Sequence, residues 1–224
     1  MVAVKTQESP KKYMERLESS EKLAKLIEYS KRKYEKADLE QHNWSHIVRD
    51  IYRAEKISKT ENDVEMNLLY PSIILHDIGV TVGEYENHDE NSRKIAREKL
   101  PEFGYSYEET EKVIQILEEF SGEKEVKMVE AKILSDADKL EKSSLASISN
   151  LFKVHMEWNK GLEEMVEDFS RYKKWRDEGF YTDKARDINQ NGIQERIDFL
   201  EKFKQKLEER KDFTATEKDL KLNL

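Results

Sequence analysis

The chain has 224 residues, of which 37% are hydrophobic and 39% are charged, with a formal net charge of −8. This length and composition allow a buried core, which excludes wholesale disorder. The absence of cysteine excludes disulfides and thiolate chemistry, and an acidic chain without a basic stripe is a poor partner for a nucleic-acid duplex. The excess of Lys and Glu fits both long solvated helices and a hyperthermophile source, and composition does not separate the two.

Neither a targeting segment nor a membrane span is evident. Residues 1–12 lack the apolar core of a signal peptide. No apolar run approaches the roughly 20 residues that span a bilayer. We therefore expect a cytoplasmic protein without membrane contact.

The first half of the chain predicts helices, because apolar residues recur at helical spacing. One apolar face is formed by Leu23, Leu26 and Ile27, and a second is formed by Ile47, Ile51, Ala54 and Ile57. Pro71 is expected in the first turn of a short buried helix that ends at His76. Gly79 is expected to stop that helix in the left-handed conformation.

The second half continues the helical pattern. Ser106 and Glu109 have capping-box spacing and open a helix that Gly122 ends. We predict further helices over 126–134, over 136–160 with Asp136 as N-cap, between Gly161 and Gly179, and over 194–209. The sequence therefore predicts an all-α fold, a single compact helical domain over 1–224 without internal repeats.

Four of the five histidines lie between positions 42 and 88. His42 and His46 would share a helix face, although such a pair is also typical of hydrogen-bonded structural histidines. His76 and Asp77 end an apolar segment, where both side chains need a partner that a divalent cation supplies. The alternative for Asp77 is a capping role at the following turn.

A later acidic motif, residues 136–140, follows the apolar pair Ile133 and Leu134. If Asp136 is the N-cap of the next helix, the side chain of Asp138 would point in a different direction from that of Asp136. The apolar Leu140 indicates that this turn of the helix faces the core. An acid on such a face again favours a bound cation.

The order His46, His76-Asp77, Asp138 resembles the HD family of metal-dependent phosphohydrolases, whose signature is a histidine, a His-Asp doublet and a distant aspartate. The flanking sequences HNWSHIVR, LHDIG, HDENS and DADKL resemble the family's motifs as well. The resemblance covers about 24–152 and implies an HD core there, followed by a C-terminal helical extension over about 153–210.

Two positions depart from the family pattern. Asn43 stands where the family has an aspartate, and Phe120 lies near the place of a further histidine in many relatives. These departures favour a single metal ion over two.

The resemblance implies roles for named residues. His46, His76, Asp77 and Asp138 would hold the metal, which acidifies water and neutralises phosphoryl charge. Asp77 would also accept a proton, and His88 would act in catalysis by contacting water or phosphate. The expected substrate contacts are His42, Lys139, Lys184 and Arg186, whereas His155 matches no motif and is expected to be structural.

The expected cofactor is one divalent ion, with Mn first and Ni, Co, Zn, Fe or Mg compatible with the same nitrogen and oxygen donors. The expected reaction is hydrolysis of a phosphoester or phosphoanhydride in a nucleotide or related small phosphate. The alternatives are a helical metal- or nucleotide-binding module without turnover and a structural scaffold without a specific metal. The sequence leaves monomer and homodimer both open.

Overall fold

A computed structural model describes residues 17–83, 85–143, 145–157 and 169–211. All regular structure in these ranges is helical and none of it is strand, which confirms the all-α prediction. The chain divides into two compact units, the first ending at Asp138 and the second beginning at Lys139. None of the described helices combines the length and the apolar character needed to cross a membrane.

Among its described residues, from position 17 onward, the first unit has five helices and most of a sixth: α1 (Glu21–Ala37), α2 (Trp44–Ser58), α3 (Met66–Leu75), α4 (His88–Glu102), α5 (Tyr107–Ser121) and α6 (Val129–Ser143). Two 3₁₀ turns, Ile78–Thr81 and Tyr85–Asn87, connect α3 to α4. In the second unit a 3₁₀ turn, Leu145–Ser147, precedes α7 (Ile148–Glu157), α8 (Phe169–Glu178), α9 (Asp183–Asn189) and α10 (Gly192–Lys211).

Helix α3 lies at the centre of the first unit. Its apolar side chains are buried on every side of the helix, and α1, α2 and α5 pack against it. The predicted apolar faces of α1 and α2 are buried as expected. Burial of each such side chain contributes about 1.5–3 kcal/mol, so this packing holds the ends of α2 and α3 in place.

The predicted start of α3 and the predicted left-handed conformation of Gly79 are both wrong. The helix begins at Met66, so Pro71 lies inside it rather than in its first turn. Gly79 has no positive φ and lies in the 3₁₀ turn Ile78–Thr81. Glycine is needed there for space, because a Cβ would lie 2.0 Å from the backbone oxygen of His88.

The predicted break between two helices at Asp136 is also wrong. Helix α6 runs unbroken through that residue, which is fully buried in the helix interior rather than an N-cap. Apolar residues at 133, 134, 137 and 140 keep one helical face continuous, and no glycine or proline interrupts it. The predicted helix over 136–160 instead divides at the 3₁₀ turn Leu145–Ser147, and its last three residues lie outside the described ranges.

Several capping predictions are confirmed. Ser106 and Glu109 form a reciprocal capping box on α5, and Gly122 and Gly179 have positive φ at helix ends. Gly161 lies outside the described residues.

A buried arginine organises the second unit. Arg196 of α10 donates hydrogen bonds to the hydroxyls of Tyr172 and Ser147 at 2.8 and 2.9 Å. These bonds fix α10 to α8 and to the 3₁₀ turn before α7.

Candidate metal centre

Three helices of the first unit bring buried histidines and acids together. His46 comes from α2, His76 and Asp77 follow α3, and Asp138 comes from α6. The Nε2 atom of His46 lies 3.3 Å from Asp77 Oδ2 and 3.7 Å from Asp138 Oδ1. The Nε2 atom of His76 lies 3.1 Å from the same Asp77 oxygen. The four residues predicted as ligands are therefore neighbours in space.

Asp50 belongs to the same cluster and was missed by the sequence analysis. Its Oδ2 lies 3.2 Å from His46 Nε2, and its side chain is fully buried. Donor atoms of His46, Asp50, His76 and Asp138 all lie within 4.8 Å of one another. The available signal was an acid four residues after His46, on the buried face of the same helix.

One local hydrogen bond orients the His76 imidazole, and another caps the helix that carries His46. His76 Nδ1 pairs with the carbonyl of Ile73 at 2.7 Å, which leaves Nε2 with the lone pair that a metal needs. Asn43 caps α2, because its side-chain oxygen accepts from the His46 backbone N–H at 3.1 Å. Asn43 thus supports the first turn of the helix that carries His46.

A buried hydroxyl fixes the backbone of the doublet. Ser92 Oγ donates to the carbonyl of His76 and accepts from the N–H of Gly79, both at 2.9 Å. The first turn of α4 lies directly on Gly79. The side chain at the start of α4, His88, is therefore held close to the doublet.

The donor set fits a divalent cation. The Nε2 atoms of His46 and His76, Asp77 Oδ2 and both oxygens of Asp50 are buried without a hydrogen-bond partner among the described residues. Such groups are costly in a protein interior unless another partner is bound. Imidazole nitrogen together with carboxylate oxygen suits Mn²⁺, Fe²⁺, Co²⁺, Ni²⁺ and Zn²⁺.

The electrostatics of the cluster also favour positive charge. Burial opposes protonation of His76, but the carboxylates of Asp77, Asp138 and Asp50 outweigh it and raise its pKa to about 9. Burial would raise the pKa of Asp77, yet the adjacent imidazoles hold it well below its usual range. Burial raises the pKa of Asp50 to about 6. A metal ion would replace the protons that these carboxylates attract.

A comparison with protein families identifies the domain. Residues 43–143 match the family model of the HD domain. This chain contains an HD domain. The matched segment includes all five clustered residues, and the HD domain and its buried His–Asp cluster together support a metal-dependent hydrolase.

Two solved structures share the fold. One is described as a predicted HD superfamily hydrolase from an uncultured Thermotogales bacterium, with a TM-score of 0.59 and 19% identity over 87% of this chain and 98% of that one. The other is YpgQ of Bacillus subtilis in complex with ADP, with a TM-score of 0.60 and 20% identity over 86% of this chain and 98% of that one. No curated protein matches the chain significantly.

Three further side chains surround the cluster in the HD domain. His88 Nε2 lies 3.8 Å from Asp77 Oδ1, and its side chain is 15% exposed. His42 is buried, with its ring 6.3 Å from that of His46. Phe120 packs edge-on against His76, with 5.2 Å between ring centroids, so an apolar ring covers one side of that imidazole.

The remaining predicted residues lie in the second unit. Lys139 Nζ donates to the carbonyl of Gly179 at 2.7 Å, and Arg186 bonds the carbonyl of Phe180 and the carboxylate of Asp183. Lys184 is half-buried. The substrate roles of Lys139, Lys184 and Arg186 stay predictions.

Proposed function

We propose that this chain is a metal-dependent phosphohydrolase in which His46, His76, Asp77 and Asp138 hold one divalent ion. One observation carries the proposal. Two imidazole Nε2 atoms and several carboxylate oxygens converge in a buried cluster within an HD domain, and they lack hydrogen-bond partners among the described residues.

Asp77 has the position for two tasks. Its Oδ2 lies between the imidazoles of His46 and His76, and its Oδ1 lies toward His88. One oxygen would bind the ion, and the other would accept a proton from the attacking water. A bound divalent ion supplies acidification of water and neutralisation of phosphoryl charge.

His88 has a solvent-side position beside Asp77. Its side chain is more exposed than those of Asp77 and Asp138, at 15% against 6% and 10%. We place His88 where substrate enters, with its imidazole donating a hydrogen bond to phosphate or to the attacking water. His42, which lies in the bend just before α2, would also contact the substrate.

For the substrate we propose a nucleotide or a related small phosphate, cleaved at a phosphoester or phosphoanhydride bond. The structure of YpgQ, which shares this fold, contains ADP. We propose Mn²⁺ as the working ion, because the cluster combines imidazole nitrogens with carboxylate oxygens and Mn²⁺ suits oxygen donors.

The test is release of phosphate and pyrophosphate from nucleoside mono-, di- and triphosphates. Metal-stripped protein would be given back Mn²⁺, Co²⁺, Ni²⁺, Zn²⁺ or Mg²⁺ in parallel. We expect metal-dependent release of one product, which identifies the bond that is cleaved. Tight metal binding without any product would instead support a binding module without turnover.

A further inference from the structure

Asp50 is the acid of the cluster that lies outside the HD signature. It is four residues after His46 on α2, so both side chains leave the same face of one helix. Its carboxylate is fully buried, and neither oxygen has a hydrogen-bond partner among the described residues. A carboxylate in this state needs a cation or a set of donors.

The spacing of its oxygen is that of a neighbouring ligand. Two donors at about 2.1 Å from one ion and at right angles to it lie about 3.0 Å apart. Asp50 Oδ2 is 3.2 Å from His46 Nε2, while Asp77 Oδ2 is 3.3 Å from the same nitrogen. Asp50 therefore occupies the same kind of position as the aspartate of the doublet.

The charges of the cluster support the same conclusion. Three carboxylates, those of Asp50, Asp77 and Asp138, meet in a buried site whose imidazoles bind metal as neutral ligands. The guanidinium of Arg53 lies 3.5 Å from Asp50 Oδ1 and supplies one positive charge. A divalent ion supplies the other two, so the centre becomes neutral when all three acids are ionised around it.

We propose that Asp50 is a direct ligand of the ion, which is then bound by two imidazoles and three carboxylates. This inference rests on the metal centre of the proposed function. Arg53 lies beside the other oxygen of Asp50, Oδ1.

The decisive variants are Asp50→Asn and Asp50→Ala, compared with the wild type and with Glu55→Gln. Glu55 is a matched control, because it is a buried acid on the same helix whose carboxylate accepts from the Tyr70 hydroxyl instead. Mn²⁺ affinity and stoichiometry would be measured by calorimetry on metal-stripped protein. The visible absorption of the Co²⁺-loaded protein would report the ligand set.

For both Asp50 variants we expect Mn²⁺ affinity to fall by more than about 100-fold, the upper end for loss of a residue that only supports a ligand. We also expect the Co²⁺ spectrum to change, and the thermal stability of the metal-stripped Asp50→Asn protein to be no lower than that of the wild type. Glu55→Gln should keep both the affinity and the spectrum.

Two results would overturn the inference. Unchanged Mn²⁺ affinity would show that the ion does not contact Asp50. Weaker binding with an unchanged Co²⁺ spectrum would place Asp50 outside the coordination sphere. A parallel His76→Gln protein separates these results from failure of the proposed function, because unchanged metal binding there would reject the whole centre.

Discussion

His76 and His155 share one local bond and differ in their surroundings. In each, Nδ1 pairs with a carbonyl of the preceding helical turn, at 2.7 Å in His76 and 2.8 Å in His155. Both side chains are buried. His76 Nε2 faces the acids of the metal centre, whereas His155 is not among the clustered donors. The local bond therefore orients a histidine but does not make it a ligand.

This contrast gives a matched pair of substitutions. We expect His76→Gln to weaken metal binding by more than about 100-fold and to abolish turnover, because a ligand is lost. His155→Gln should change metal affinity and turnover by less than about twofold, and any loss should be confined to the free energy of unfolding. Calorimetry and phosphate release measure the two effects. Full activity in His76→Gln would reject the assigned centre.

Gly79 and Gly122 require glycine for different physical reasons. A Cβ on Gly79 would meet backbone atoms of His88 and Ser92 at 2.0 and 2.7 Å, whereas one on Gly122 would meet nothing within 4 Å. Gly122 has a φ of 83° at the end of α5. Space is the constraint at the first site, and backbone conformation is the constraint at the second.

We expect Gly79→Ala to cost more than about 3 kcal/mol of unfolding free energy, because the start of α4 must move away from the doublet. Gly122→Ala should cost only about 1 kcal/mol, from left-handed strain. Urea unfolding of both proteins measures the difference. Equal costs at the two sites would contradict the close packing of α4 on the doublet.

Two buried carboxylates, one from α5 and one from α6 itself, position helix α6. Glu119 Oε2 of α5 accepts from the backbone N–H groups of Lys127 and Met128, both at 2.8 Å, just before α6 begins. Glu130 of α6 accepts from the N–H of Glu65, the N-cap of α3. These bonds connect the starts of two helices that carry proposed metal ligands.

The Glu119 carboxylate makes part of the stability depend on pH. Burial would raise its pKa, but hydrogen bonds from Gln115, Met128 and Lys127 outweigh burial and lower the pKa below 4.5. The ionised Glu119 carboxylate therefore stabilises the folded state at pH values above its pKa in the unfolded chain. This stabilisation is lost as the pH falls through the lower pKa that Glu119 has in the folded state. The free energy of unfolding should therefore decrease at acidic pH.

We therefore expect Glu119→Gln to lower the unfolding free energy at pH 7 by about 1–3 kcal/mol and to flatten the stability loss below about pH 4.5. Glu118→Gln is the control, since Glu118 pairs with the exposed Lys124 and should change stability by less than about 1 kcal/mol. Denaturant unfolding from pH 3 to 7 tests both. The same acid slope in Glu119→Gln and wild type would contradict this assignment.

At the scale of the molecule, we expect binding of the proposed ion to be coupled to folding of the first unit. Its proposed ligands come from α2, the end of α3 and α6, so they converge only when these helices are packed. An ion that binds the folded unit but not the unfolded chain raises the free energy of unfolding. Well above the Kd, this gain grows with the logarithm of the free ion concentration. The same ion would compensate the charges of the buried carboxylates, which otherwise repel one another.

We expect Mn²⁺ at a free concentration 100-fold above its Kd to add about 2.7 kcal/mol, or about 5–10 °C in Tm. Hydrogen exchange should slow in α2, α3 and the part of α6 that precedes Lys139. Calorimetry and exchange mass spectrometry measure the two effects. If His76→Gln kept the full Tm shift, the stabilising ion would bind elsewhere.

The sequence by itself determined the helical class and the candidate ligands. Helical periodicity and the capping box of Ser106 and Glu109 depend only on residues within one or two helical turns. Both can therefore be predicted from the order of the amino acids. His46, the doublet and Asp138 were selected by their order and resemblance. The structure then brought them together in one buried cluster.

Tertiary structure decided the features that depend on packing. Asp50 joins the cluster because α2 packs beside α3, Gly79 is required because α4 approaches it, and α6 continues through Asp136 because that residue is buried in the helix. Each depends on atoms distant in sequence. Local spacing predicts which residues share a helix face, but only packing determines what that face meets.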